Sequence, residues 1–280
     1  MAKYPELADK VALITGAGRH KGLGEAMAKR LAEEGCKVVI TDIGSAQGQL
    51  MPEDAIGTTK EMQQIVEEIK SAGGEASSYI CNVMSPEEVK GAAQFAVDTY
   101  GSLDIWVNNA GIGYLMKPIL DMDVSEWDAV MNVNLRGAFL GVKYAAEMMV
   151  EQGKGGRIIN IGSQASKSAF PHASAYTTSK HGMNGLTRTA ALELGPHHIT
   201  VNQICPNHVT TGLGAWQNAH FSGVTGKGHE KYMEDMKARI PLGRPGMQED
   251  IAKACAFLCS DEASYITGES MNVSGGEEYH

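Results

Sequence analysis

At 280 residues, with 43% hydrophobic and 20% charged side chains, the chain has the composition of a soluble folded protein, and its length suits one extended α/β core. A net charge of −9 and a pI near 5.5 argue against nucleic acid or an anionic membrane as its main partner, because neither would meet a basic face. No apolar leader opens the sequence, no run of about 18 apolar residues follows, and the five cysteines form no C-x-x-C pair, so the expected setting is a reducing cytoplasm.

Val11 to Thr15 is a continuous apolar run of strand length, as a strand covered on both faces requires. Glycines follow at once. From Gly22 onward, Leu23, Ala26, Met27 and Leu31 recur on one helical face, with Gly35 placed to end the helix. Lys37 to Thr41 supplies a second buried strand that closes on Asp42. Strand, glycine turn, helix, strand and acid make a dinucleotide-binding unit, in which the helix N-terminus offers N–H groups to a pyrophosphate and the acid accepts the ribose hydroxyls. Arg19, His20 and Lys21 put three cations in the turn, which suits the 2′-phosphate of NADP, whereas Asp42 repels that phosphate. NAD is therefore the expected cofactor and NADP the alternative.

Residues 44 to 60 are turn-rich and long for a connection in such a unit, and read as a surface insertion. A helix with Met62, Ile65, Val66 and Ile69 on its buried face comes next, then a strand at Ala76 to Ile80. Ser85, Pro86, Glu87 and Glu88 are an N-cap, a proline at the first helical position and acids in the first turn. With strands at Leu103 to Val107 and Arg157 to Ile161, the alternation predicts a doubly wound parallel sheet of Rossmann type in a single domain. Ligands gather at the carboxyl ends of such strands. Asn108 to Gly111 stands at one of these ends, and a long apolar helix interrupted by Asn134 follows. That buried amide must be hydrogen-bonded, whether as a satisfied core group or as part of a proton path.

Tyr176 and Lys180 lie one helical turn apart, on a run whose Met183, Leu186, Ala190 and Leu194 mark a helix. A free phenol titrates near ~10, and a neighbouring cation favours the phenolate. Ser163, at the end of the apolar run R-I-I-N-I-G, is placed to bring its hydroxyl back over the start of this helix. Gly195 and Pro196 stop the helix, and a strand at Ile199 to Ile204 ends in C-P-N-H-V-T-T. The stretch from 212 to about 240 shifts to glycine, histidine and aromatics, which predicts a substrate loop. Gln164, Phe170, His172, His208, Trp216, His220 and Phe221 are the candidate residues of a substrate pocket. A helix at Gln248 to Cys259 and a strand at Glu269 to Val273 complete the chain, which has no metal-ligand spacing such as H-E-x-x-H.

In order and at close to the expected spacing, T-G…G-L-G, N-N-A-G, N-L-R-G, I-G-S, Y-T-T-S-K, C-P-N-H-V-T-T and I-T-G-E-S-M-N-V-S-G-G make this sequence resemble the short-chain dehydrogenase/reductase family over nearly its whole length. The resemblance implies Tyr176 as acid/base, Lys180 as the residue that lowers its pKa and binds the nicotinamide ribose, and Ser163 as donor to the carbonyl or alkoxide oxygen. It implies Asn134 as holder of a relay water. It further assigns Gly16, Gly22, Leu23 and Gly24 to the pyrophosphate, with Arg19 in the same turn, and Asp42 and Ile43 to the adenosine ribose. Asn82 and Val83 fall to the adenine, Asn109, Ala110 and Gly111 to the ribose side of the sheet, and Val209 with Thr211 to the carboxamide.

This chain departs from the family pattern at three places. Five residues, where the family has three, separate Gly16 from Gly22, while Gly18 restores the usual spacing, so either Gly16 or Gly18 turns the chain. Asn82 stands where the family usually has aspartate, and Asn207 replaces the glycine after Pro206, leaving His208 to face the substrate. The expected activity is an NAD-dependent interconversion of a small secondary alcohol and its ketone in a homo-oligomer, dimer or tetramer, built on helices such as Phe139 to Met149. An NADP-dependent ketone reductase and a catalytically silent cofactor sensor are the alternatives.

Overall fold

The computed structural model describes residues 2–46, 50 and 56–279. Seven parallel strands form one sheet in the order β3-β2-β1-β4-β5-β6-β7: β1 (Val11–Thr15), β2 (Lys37–Asp42), β3 (Glu75–Ile80), β4 (Ile105–Asn108), β5 (Gly156–Ile161), β6 (Ile199–Pro206) and β7 (Ser270–Val273). Every residue of β1, β4 and β6 is buried, as continuous apolar runs in a doubly covered sheet require. The strand order reverses between β1 and β4, and a cleft opens there above the carboxyl ends.

Helices cover both faces. On one, α1 (Leu23–Glu33), α2 (Thr59–Ser71) and α9 (Gln248–Cys259) bury Met27, Ile65, Ile251 and Leu258 against the sheet. On the other, α3 (Pro86–Tyr100), α5 (Gly137–Gln152) and α6 (Ser174–Leu194) bury Val89, Leu140, Met149 and Ala190. The expected start of α3 is present, with the Ser85 hydroxyl accepting from the Glu88 N–H. All five cysteines are buried and free, and no helix among the described residues is long and apolar enough to cross a membrane.

The interruption read at Asn134 is a π-turn, Asn132–Arg136, between α4 (Val124–Met131) and α5. A helix widened by one extra residue per turn aims a side chain that a regular helix would place elsewhere. Here it turns Asn134 fully inward.

The stretch 212–240 is not the expected loop. It folds as a helical hairpin, α7 (Gly212–Thr225) and α8 (His229–Arg239), in which the Thr211 hydroxyl caps the Gly214 N–H and Gly226 ends the first helix in the left-handed region. Glycines within α7 lower its helix propensity and hid the periodicity. Only Ser222 of α7 and Met236 of α8 are buried, so the hairpin lies over the cleft instead of joining the core.

A buried ladder of amides positions α6 relative to the sheet. Trp106 Nε1 donates to Asn108 Oδ1 (2.7 Å), Asn108 Nδ2 to Asn160 Oδ1 (2.9 Å), and Asn160 Nδ2 to Thr187 Oγ1 (2.9 Å). Gly141 of α5 lies against this ladder, and a Cβ there would collide with Asn108 Oδ1. Gly141→Ala should therefore lower unfolding free energy by ~1–3 kcal/mol, the cost of overpacking a core. An unchanged urea midpoint would count against the ladder as a rigid element.

Candidate active site

Gly16 turns the chain after β1: its φ is +63°, and a Cβ would stand 2.6 Å from Ala110 Cα. Gly22 caps α1, and Gly24 lets α1 approach Ala17 Cα, where a Cβ would stand at 2.7 Å. Gly18 has a different task, making room for Asp42, whose Cβ would stand 2.7 Å from one added at Gly18. Asp42 Oδ2 accepts the Gly18 N–H (3.0 Å), while its Oδ1 accepts those of Ile43 (2.9 Å) and Gly57 (3.3 Å). Burial nonetheless pushes the carboxyl above its ordinary value.

The insertion after β2 is more than a surface excursion. Its residues 47–49 and 51–55 lie outside the described ones, but Ile56 and Gly57 line the cleft and Tyr114 donates its hydroxyl to the Leu50 carbonyl (3.0 Å). Of the three turn cations, His20 is committed to an ion pair. His20 Nδ1 and Glu25 Oε1 are 2.9 Å apart, and that bond raises the imidazole's pKa. Lys29 Nζ bridges Glu25 (2.6 Å) and Glu68 (2.7 Å), supplying the group His20, Glu25 and Glu68 with the positive charge that a metal ion would otherwise bring. The Arg19 guanidinium packs on Gly212, at the start of α7.

These residues enclose a cavity of about 560 Å³, within the range of cofactor sites. Arg19, Gly22, Leu23, Ile43, Asn82, Val83, Asn109, Ala110, Gly111 and Thr211 line it beside Gly16 and Asp42, whereas Gly24 serves packing. Asn109 Nδ2 donates to the carbonyls of Thr15 and Gly16 (both 2.8 Å), tying β4 to β1 at the cavity floor. The Asn82 amide oxygen accepts the Met84 N–H (3.0 Å) and shapes its own turn.

Ser163 follows β5 and caps a short turn, its Oγ accepting the Ala165 N–H (3.2 Å). Tyr176 lies in the first turn of α6, with Lys180 one turn on, both buried. Lys180 Nζ donates to the Ile161 carbonyl at the end of β5 (2.7 Å) and lies 5.7 Å from the Tyr176 ring centroid. Burial pushes the phenol up, and the hydrogen bond from Ser163 draws it down. Burial is the larger cause and leaves the phenol above its ordinary value, while the Lys180 ammonium donates to the Ile161 carbonyl. Tyr176 therefore rests protonated at neutral pH.

Burial also lowers Lys180 to about 8 from the ordinary 10.5. Between those values the unfolded chain binds the extra proton, so stability rises with pH across that window. The unfolding free energy of the wild type relative to Lys180→Met should climb from about pH 8 upward, by at most ~1.4 kcal/mol per unit. A flat difference in denaturant melts would contradict a desolvated ammonium.

Asn134 is fully satisfied. Its Oδ1 accepts the Ile112 N–H (2.7 Å), and its Nδ2 donates to the Ile112 carbonyl (2.9 Å) and Ser179 Oγ (3.2 Å). It braces the segment after Gly111 against α6.

A second cavity, of about 350 Å³, adjoins the first. Tyr176 lines both. Gln164, Phe170, His208, Val209 and Phe221 line the second cavity, as expected of the first three and the last. Trp216 lines the first instead, and His172 and His220 line neither. The helical period of α7 is the reason: Leu213, Gln217, Phe221 and Thr225 face the second cavity, while Trp216 stacks on His220 (5.2 Å, 9°), which meets His172 at 3.4 Å. Tyr232, Arg239 and Glu277 were missed. Glu277 reaches the cavity because Gly275 (φ +65°) and Gly276 (φ +94°) turn the tail back, and that glycine pair was the available signal.

Residues 16–278 match the family described as Enoyl-(Acyl carrier protein) reductase. A short-chain dehydrogenase/reductase of Armillaria gallica is 39% identical over 267 residues, which cover 95% of each chain. This chain belongs to the short-chain dehydrogenase/reductase family. It is an oxidoreductase acting on CH–OH groups. Among solved structures, carveol dehydrogenase from Mycobacterium avium in complex with NAD has a TM-score of 0.88 at 31% identity, covering 96% of this chain and 98% of that one. A variant of actinorhodin polyketide ketoreductase with NADPH has a TM-score of 0.87 at 32% identity, covering 100% of both chains. Short-chain dehydrogenase/reductase relatives thus occur with either coenzyme.

Proposed function

We propose that this protein is an NAD-dependent dehydrogenase that interconverts a small secondary alcohol and its ketone. The observation that carries this reading is Tyr176 at the seam of the two cavities, with Ser163 lining the second of them and Lys180 beneath the ring. A phenol there meets a substrate oxygen from one cavity while the carbon bearing that oxygen faces the other. A bound nicotinamide coenzyme supplies the hydride acceptor or donor. Ser163 orients the substrate oxygen by hydrogen bonding, and Tyr176 exchanges the proton with it. In reduction the resting phenol already holds the proton it gives. In oxidation it must lose that proton first, and the buried Lys180 ammonium opposes its return.

Asp42 supports NAD over NADP, since a carboxylate held by three backbone N–H groups stays where a 2′-phosphate would have to sit. The pairing of His20 with Glu25 removes one cation from the opposing case. Carveol dehydrogenase, a relative with NAD, favours the same reading. Five buried thiols without disulfides fit a cytoplasmic setting. Exposed Phe139 and Val150 on α5 and Leu192 on α6 support a homo-oligomer built across these helices. Assay of both coenzymes with a panel of secondary alcohols and ketones tests the assignment. Absence of turnover with either coenzyme would leave only a cofactor-binding role.

A further inference from the structure

Besides Ser163 and Tyr176, the substrate cavity carries a second polar cluster, drawn from three separate parts of the chain. Asn207 and His208 come from the end of β6, Arg239 from the end of α8, and Glu277 from the returning tail. Glu277 Oε2 accepts from Asn207 Nδ2 (2.7 Å) and lies 3.4 Å from His208 Nε2, while its Oε1 accepts from Arg239 Nε (3.0 Å). A carboxylate offers about four lone-pair sites, so this one keeps capacity to accept. The terminal nitrogens of Arg239 make no hydrogen bond with the described residues beyond that Nε contact. The cluster thus shows the cavity an acceptor and a donor side by side.

Its charges cancel. Arg239 offsets Glu277, and burial lowers His208, which leaves the imidazole neutral at neutral pH. An anionic substrate gains little from such a pair, whereas a hydroxyl, which donates and accepts at one oxygen, matches it. Phe170, Leu213 and Phe221 supply apolar walls for a carbon skeleton. His208 is held at φ +43°, a conformation unfavourable to a residue with a Cβ, and strain of this kind collects at ligand sites.

We propose that the substrate carries a second hydroxyl besides the one that reacts, donating to Glu277 and accepting from Arg239. Its class is a diol, or the matching hydroxyketone, on a small apolar skeleton, with Glu277 as the residue that determines specificity. This deepens the dehydrogenase reading and rests on it.

The test compares cyclohexanol with 1,2-, 1,3- and 1,4-cyclohexanediol as substrates with NAD, in wild type and in Glu277→Gln. The best diol should exceed cyclohexanol in kcat/KM by roughly tenfold or more, as expected for a hydrogen bond to a charged group. In Glu277→Gln that ratio should fall to near one. A ratio equal in both proteins overturns the proposal and leaves Glu277 as an anchor of the tail. Preference for 3-hydroxycyclohexanecarboxylate over every diol overturns it too, since Arg239 would then be reading an anion. Calorimetric binding of the same ligands to Tyr176→Phe with NAD needs no chemistry and separates the two failures. Diol-selective binding there, abolished by adding Glu277→Gln, upholds the cluster's role even without turnover. Turnover of cyclohexanol with no diol selectivity sinks the proposal while the dehydrogenase stands.

Discussion

Replacing Tyr176 with phenylalanine should lower kcat by roughly 10²–10⁴-fold, the range expected when a positioned acid/base is removed. The substitution keeps the ring that fills the seam between the cavities and deletes only the hydroxyl. Packing, and with it coenzyme affinity, should barely change, because Tyr176 is held by Ala165, Ala173 and Ala175 in an apolar cluster that the ring alone satisfies. Steady-state kinetics and a fluorescence titration with NAD measure the two quantities separately. Retention of more than a tenth of the wild-type kcat would remove the phenol from the chemistry. Loss of coenzyme binding in step with activity would mean that the hydroxyl shapes the site instead.

The second large effect is expected at Asp42. Removing its carboxylate with Asp42→Ala should lower kcat/KM for NAD by roughly 10–100-fold, as loss of a hydrogen bond to a charged group predicts. The same change should raise kcat/KM for NADP, because it deletes a negative charge from the place of a 2′-phosphate. The variant also strips an acceptor from the N–H groups of Gly18, Ile43 and Gly57, so its thermal midpoint should fall. The NADP-to-NAD ratio is therefore the deciding readout, since lost stability depresses both coenzymes alike. A ratio unchanged by the substitution would remove Asp42 as the selector.

Much of the site is legible in the sequence alone. The apolar strand at Val11–Thr15, the glycines after it and the acid at Asp42 follow one another in the chain, and local sequence encodes a local unit directly. The stacking of Tyr176 and Lys180 needed only the helical period. Capping at Ser85 and the stop at Gly195–Pro196 were equally local. The errors began where identity depends on what a segment packs against. In α7, glycines at Gly212, Gly214 and Gly223 made a helix read as a loop, and so Trp216 and His220 were grouped with Phe221 although they face another way.

Sequence by itself determined the sheet's alternation, the glycine turn and the stacking of Tyr176 with Lys180, because each depends on neighbours within a few residues or on one period of a helix. Only the tertiary structure decided which glycine turns the chain, that burial raises the Tyr176 phenol, and that Glu277 meets Arg239 and His208 at the second cavity. Contacts of that kind join residues far apart in the chain. No local pattern encodes them, since desolvation and pairing exist only once the segments have been brought together.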